Sequence, residues 1–67
     1  MKDDWVKIYS SSDYYRCEIV RQVLIDNEIN AVLFDKQGFP YKIGDVEIYI
    51  HQKDYQKAIE VIISKDL

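Results

Sequence analysis

The chain has few of the residues that build covalent links, sharp turns and metal sites. Its 67 residues include one cysteine, one histidine, one proline and two glycines. A single cysteine excludes an intrachain disulfide, so packing alone must hold the fold. Metal binding needs three or four convergent ligands, which Cys17 and His51 on separate segments do not supply. We expect no metal, no cofactor and a buried, reduced Cys17.

Positive charge and long apolar runs are also scarce. Twelve acidic residues against nine basic ones give a net charge of −3. Nucleic-acid modules normally carry a basic patch, so nucleic acid is a disfavoured partner, as is a membrane surface. No apolar run approaches the roughly 20 residues that span a bilayer. The polar start at Met1–Asp4 lacks a signal-peptide core, so we expect a cytoplasmic protein.

What is abundant is apolar surface, at 48 % hydrophobic residues. This composition is typical of a folded protein rather than a disordered one. The length allows one domain, residues 1–67, which buries only about 60 % of the surface exposed in its unfolded chain. Its stability is therefore marginal.

The first half of the chain predicts a strand, a helix and a second strand. Residues 5–9 are aromatic and β-branched, as in strands. The polar residues after them predict a helix over 13–26, with Ser12 as its N-cap. Asn27, which tolerates left-handed backbone, should end it. A second strand follows over 29–34. One helix face gathers apolar residues at spacings of three and four: Cys17, Val20, Val23 and Leu24.

The second half predicts a turn, a third strand and a second helix. Gly38 and Pro40 mark the turn. Residues 45–50 alternate between apolar and polar, which favours a half-buried strand. Residues 53–65 predict a helix whose buried stripe consists of Tyr55, Ala58, Ile59 and Ile62.

The resulting order, β-α-β-β-α, predicts an α/β (α+β) fold of the ferredoxin-like, split β-α-β type. Parallel strands joined by a helix need a right-handed crossover, and the following hairpin then inserts the third strand between the first two. This gives a three-stranded sheet with two helices on one face and no fourth strand. The predicted core is Ile8, Val20, Leu24, Ile48, Ile50, Ala58 and Ile62.

The pattern of core positions and caps over nearly the whole chain resembles a known family. The segments that carry the resemblance are Trp5–Tyr9, Cys17–Leu24, Asn27–Leu33, Val46–Ile50, and Lys53-Asp54 before Ala58-Ile59. The family consists of small bacterial domains of unknown function described as "putative signal-transducing protein". Where it usually has glycine before the second strand, this chain has Glu28. The resemblance implies the fold and brings no catalytic motif.

That family is usually grouped by fold with the PII nitrogen regulators, which are longer. PII proteins carry an extended loop between their second and third strands, whereas the connection here runs only from Lys36 to Gly44. No glycine-rich phosphate loop is present. The resemblance therefore does not imply nucleotide binding. We interpret Tyr41 in this connection as a packing residue rather than a modification site.

No catalytic constellation is visible in the sequence. Nucleophilic catalysis needs a nucleophile, a base and an orienting group within hydrogen-bonding reach. The serines at 10–12 are better explained as helix caps, and His51 as a solvated residue at the end of a strand. We expect no enzyme and no catalytic residues.

Strand alternation predicts instead an interaction surface on the sheet face that the helices leave open. Exposed apolar patches of this kind usually mark binding sites, and aromatic residues are enriched in interface cores. The predicted surface comprises Trp5, Lys7, Tyr9, Phe34, Glu47, Tyr49 and His51, together with Val32. In the alternative structural interpretation, the chain terminus and the 37–43 loop partly cover Trp5 and Phe34.

These features favour a regulatory or interaction module that binds a protein partner or a second copy, most simply as a homodimer. Contact would use the open face or the unpaired first strand. One alternative is a single-stranded nucleic-acid module, in which Tyr9 and Tyr49 stack bases. A small-molecule binding module is the other.

Overall fold

The computed structural model describes residues 4–37 and 44–67. The predicted turn at Gly38 and Pro40, and Tyr41, lie outside the described residues. The described part contains three strands and two α-helices, and a short 3-10 turn at Gln52–Asp54 precedes the second helix. The elements are β1 (Trp5–Ser11), α1 (Tyr14–Asp26), β2 (Ala31–Asp35), β3 (Val46–His51) and α2 (Tyr55–Ser64).

The sheet has the predicted topology. Its order is β1-β3-β2, and β3 runs antiparallel to both neighbours. Both helices pack on one face, so the described residues form the ferredoxin-like, split β-α-β arrangement with three strands. Along the central strand β3, the apolar residues face the helices while the residues between them point away.

Apolar side chains from all five elements, and Ile29 just before β2, form the core between the sheet and the helices. Five of the seven predicted core residues are fully buried, while Ile8 and Ile62 are partly buried and pack against the core. The buried set is Cys17, Val20, Leu24, Ile29, Ala31, Val46, Ile48, Ile50, Ala58 and Val61.

The predicted stripe of α2 is correct at Ala58 and wrong at Tyr55, and it omits Val61. Ala58 and Val61 are its buried residues, Tyr55 is exposed, and Ile59 and Ile62 are only partly buried. The helix is apolar around much of its circumference near its C-terminus, so periodicity alone left its rotation undetermined. It also begins two residues later than predicted, because Gln52–Asp54 forms the 3-10 turn.

The N-cap of α1 is Asp13 and not the predicted Ser12. The Asp13 carboxylate accepts a hydrogen bond from the Arg16 backbone N–H at 3.3 Å. The Ser11 hydroxyl in turn accepts from the Asp13 backbone N–H at 3.0 Å. Aspartate caps as well as serine does, and here its carboxylate is the group that reaches the third residue of the helix.

α1 ends at Asp26 with Asn27 as its C-cap, as predicted, but Asn27 does not have the left-handed backbone that the prediction gave it. Asn27 has φ −99°, and the left-handed residue is Glu28, at φ +65°. The Ile29 N–H donates to the Leu24 carbonyl at 3.0 Å, and the Glu28 N–H to the Ile25 carbonyl at 2.9 Å. This pair of bonds is a Schellman motif, which brings the apolar residues 24 and 29 together.

A candidate interaction face on the sheet

The face of the sheet turned away from α1 and α2 carries a mixed set of aromatic, aliphatic and charged residues. We call it the open face. Strand pairing places Lys7, Tyr49 and Val32 in one row across the three strands. Ser10, Glu47 and Phe34 form the next row. With the Trp5–His51 pair at one end, the open face comprises Trp5, Lys7, Ser10, Val32, Phe34, Glu47, Tyr49 and His51.

Tyr9, which alternation assigned to this surface, lies on the opposite face. The pairing of β1 with β3 shifts between Lys7 and Tyr9, so Ile8 forms a β-bulge and Tyr9 pairs with Ile48. An extra residue in one strand reverses the facing of every residue after it. Tyr9 therefore packs against the core, and its hydroxyl accepts a hydrogen bond from the Arg16 side chain of α1 at 2.8 Å.

Glu47 occupies the centre of the open face, yet only 8 % of the residue is exposed. Its carboxylate accepts a hydrogen bond from the Tyr49 hydroxyl at 2.9 Å. The Lys7 ammonium lies 3.4 Å from one carboxylate oxygen, and the Lys36 ammonium lies 3.7 Å from the same oxygen. We call these four residues the Glu47 cluster.

The cluster fixes the charge state of its central carboxylate. The hydrogen bond from Tyr49 lowers the pKa of Glu47, burial opposes this shift, and the ammonium groups of Lys36 and Lys7 lower the pKa further. The same hydrogen bond raises the pKa of Tyr49, because ionising the phenol would remove the donated proton. At neutral pH the arrangement therefore holds a carboxylate and a neutral phenol.

Sequence reasoning placed Glu47 on the open face but missed its burial. The strand pairing contains the signal that would have found it, since Lys7 lies one row away on β1 and Tyr49 two positions along β3. A carboxylate on the middle strand is reached by long side chains from both edges. Lys36, which follows β2 and was not a predicted site residue, supplies the second ammonium.

Trp5 and His51 form one end of the open face. Their rings meet edge to face, with centroids 5.9 Å apart and an interplanar angle of 66°. The His51 Nδ1 accepts a hydrogen bond from the Lys53 backbone N–H at 3.2 Å, and its Nε2 lies 3.6 Å from the Asp4 carboxylate. His51 is thus partly exposed, and it caps the 3-10 turn that precedes α2.

Val32 and Phe34 are the most exposed apolar side chains of the open face. Val32 is 48 % exposed and Phe34 is 53 % exposed, and both lie on the edge strand β2. The predicted partial cover for Phe34 involves the 37–43 loop, of which only Gln37 is described. Gln37 points elsewhere, since its side-chain amide donates to the Ser12 and Gly44 carbonyls at 2.7 and 3.3 Å.

The described residues contain no group of side chains that could hold a metal ion. Among residues 4–37 and 44–67, no three histidine, cysteine, aspartate or glutamate side chains lie close enough to share a metal ion. Cys17 is fully buried in the core, as the sequence predicted, and burial raises the pKa of its thiol. A buried, protonated thiol is a poor nucleophile.

Neither of the two described ranges contains a helix that could span a membrane. The longer helix there, α1, has 13 residues, and neither helix combines the length and apolar character needed to cross a bilayer.

Comparison with known proteins identifies the family of this chain. Searches of curated proteins and of solved structures found nothing significantly similar. A family model described as "putative prokaryotic signal transducing protein" matches residues 5–65. This range runs from the first residue of β1 to just beyond α2, so it includes the sheet, both helices and the open face. The chain therefore belongs to the family that this model represents.

Proposed function

We propose that the chain is a non-enzymatic interaction module that docks another protein molecule on its open face. The observation that carries the proposal is the composition of that face. Apolar side chains that are about half exposed lie beside a carboxylate that is already neutralised within the chain. A surface of exposed apolar groups around fixed polar groups is typical of protein interfaces.

The charges of the open face favour a particular partner. Because Glu47 is buried, the charges that reach solvent around it are the ammonium groups of Lys7 and Lys36, whose side chains are 50 % and 52 % exposed. A partner that presents apolar side chains flanked by carboxylates would match this arrangement. A nucleic acid fits less well, since two exposed lysines on a chain of net charge −3 can neutralise few phosphates.

Because the side chains of the Glu47 cluster are already ordered, docking should cost little side-chain conformational entropy. Side chains already held by hydrogen bonds and ion pairs lose less freedom when a partner covers them. The ring of Trp5 is likewise positioned by its edge-to-face contact with His51.

We infer that the protein acts in the cytoplasm, where a lone free cysteine such as Cys17 stays reduced.

Site-specific photocrosslinking in the native host tests this proposal. A benzophenone amino acid replaces Trp5 on the open face or, as the control, Tyr15, which is 74 % exposed on α1. We expect a discrete protein adduct from position 5, its loss when Tyr49→Glu is added, and no such adduct from position 15. Equal adducts from both positions, or none from position 5, would contradict docking on the open face.

A further inference from the structure

The two edges of the sheet differ in how well they could accept another strand. The β1 edge is interrupted by the bulge at Ile8, and such bulges discourage strand addition. β2 pairs with β3 over five residues without a register shift. Within the described residues, β3 is the only strand beside β2, so the outer side of β2 is the regular edge.

The hydrogen bonds around β2 reveal which backbone groups point outward. The Lys36 N–H donates inward to the Asp45 carbonyl at 3.2 Å. Every second residue of an antiparallel strand directs its backbone groups to the same side, so those of Val32 and Phe34 also point toward β3. The backbone groups of Ala31, Leu33 and Asp35 then face away. The Ala31 carbonyl agrees, because it accepts a hydrogen bond from the Arg21 side chain of α1 at 3.3 Å.

We propose that β2 pairs antiparallel with β2 of a second copy, about a two-fold axis at Leu33. Leu33 would lie opposite its own counterpart, and the two residues would exchange N–H to carbonyl hydrogen bonds. The two three-stranded sheets would become one continuous sheet, with both open faces on the same side. This contact goes beyond the proposed function, because it uses the strand edge. It covers Val32 and Phe34 at the edge of each open face and leaves Trp5, Lys7, Glu47 and Tyr49 available for docking.

Side chains on both faces of β2 match this register. On the open face, Val32 of each copy lies opposite Phe34 of the other, so the dimer contains two such pairs. An aromatic residue opposite a β-branched residue is a favourable cross-strand pair. These two residues are the half-exposed apolar residues of β2. On the helix side, Asp35 lies opposite Ala31 of the second copy. Burial of exposed apolar surface therefore accompanies the new backbone hydrogen bonds.

Charge complementarity also favours a second copy as the occupant. The Arg21 guanidinium lies against the Ala31 carbonyl, so the register brings it beside Asp35 of the other molecule, and the two-fold axis repeats this contact. Asp35 is exposed, and one of its oxygens accepts from the Gln37 backbone N–H at 2.9 Å. A chain this short also gains stability by associating.

Charge-reversal variants analysed by sedimentation velocity test the pairing. The parent should be dimeric at tens of micromolar. Arg21→Glu alone places two carboxylates against each other at each contact, and Asp35→Arg alone places two guanidinium groups there. Each variant should therefore raise the dissociation constant of the dimer at least about tenfold. An equal mixture of the two variants should form a heterodimer, because each of its two contacts then joins opposite charges. Asp26→Arg, an exposed reversal elsewhere on α1, should change nothing.

Controls separate edge pairing from misfolding and from docking on the open face. Arg21→Glu and Asp35→Arg combined in one chain should restore the dimer, which shows that the altered residues are compatible with folding. Tyr49→Glu should leave the dimer intact while it abolishes the crosslink from position 5. Edge pairing is overturned if the parent and the mixture are both monomeric. It is also overturned if both single variants remain dimeric, or if Tyr49→Glu alone dissociates the dimer.

Discussion

On the face that the helices cover, β3 contributes Val46, Ile48 and Ile50, none of which has exposed surface. On the open face, the intervening residues of the same strand are Glu47, Tyr49 and His51. Each of these makes a polar contact with another side chain or with the backbone. One six-residue strand thus supports two kinds of order, one from close packing and one from paired charges and hydrogen bonds.

This difference separates stability from recognition. Burial of apolar groups supplies most of the free energy of folding, and it is concentrated between the sheet and the helices. Polar side chains that satisfy one another on the other face add order with little net stability. Changes on the open face should therefore alter binding without unfolding the chain, and the following variants test this division.

The largest expected effect is on the covered face. Leu24 is fully buried, so Leu24→Ala removes packed methyl groups and leaves a cavity, at a cost of about 2–5 kcal/mol in unfolding free energy. Val32, at 48 % exposed, is the matched position on the open face, where Val32→Ala should cost less than about 1 kcal/mol. Urea denaturation of both variants measures the difference. Similar losses for the two would show that the faces do not differ as described.

A smaller effect is expected from the Glu47 cluster, and it depends on pH. The pKa of Glu47 is lower in the folded chain than the unfolded value of about 4.3. The carboxylate therefore stabilises the fold at neutral pH. That contribution is complete above the unfolded pKa, decreases as the pH falls past it, and is lost below the folded pKa.

Denaturation midpoints measured from neutral to acidic pH test this linkage. The parent should lose more stability on acidification than Glu47→Gln, which has no carboxylate at this position to protonate. Tyr49→Phe, which removes the hydrogen bond that contributes most to the shift, should lie between them. Identical acid sensitivity in all three proteins would contradict a role for the cluster in stability.

Much of this architecture is predictable from sequence because alternation and helical periodicity identify the buried faces. The helix-covered face follows from these patterns, and the strand order with β3 at its centre follows from the right-handed crossover and the hairpin. The bulge does not, since Lys7, Ile8 and Tyr9 continue an ordinary strand pattern and no glycine marks the irregularity. Its consequence, the movement of Tyr9 to the helix side, changes the membership of the candidate site.

Other features escaped prediction because they depend on distance rather than on sequence pattern. One ammonium group beside Glu47 belongs to Lys36, which lies 11 positions away in the chain and reaches the carboxylate only after β2 and β3 have paired. The cap of α1 was ambiguous because adjacent serine and aspartate residues cap equally well. The left-handed Glu28 was difficult to assign because a side chain at that backbone angle is uncommon.

The smallest effect concerns the turn that joins α1 to β2 on the covered side. Glu28 adopts φ +65°, which glycine adopts without strain and which costs other residues about 1 kcal/mol. Glu28→Gly should therefore stabilise the chain, while Glu28→Ala removes the charge but keeps the strain. We expect the glycine variant to exceed the alanine variant by about 1 kcal/mol in urea denaturation, with the acid sensitivity of the Glu47 cluster unchanged in both. If the alanine variant were as stable as the glycine variant, the backbone at Glu28 would carry no strain that glycine could relieve.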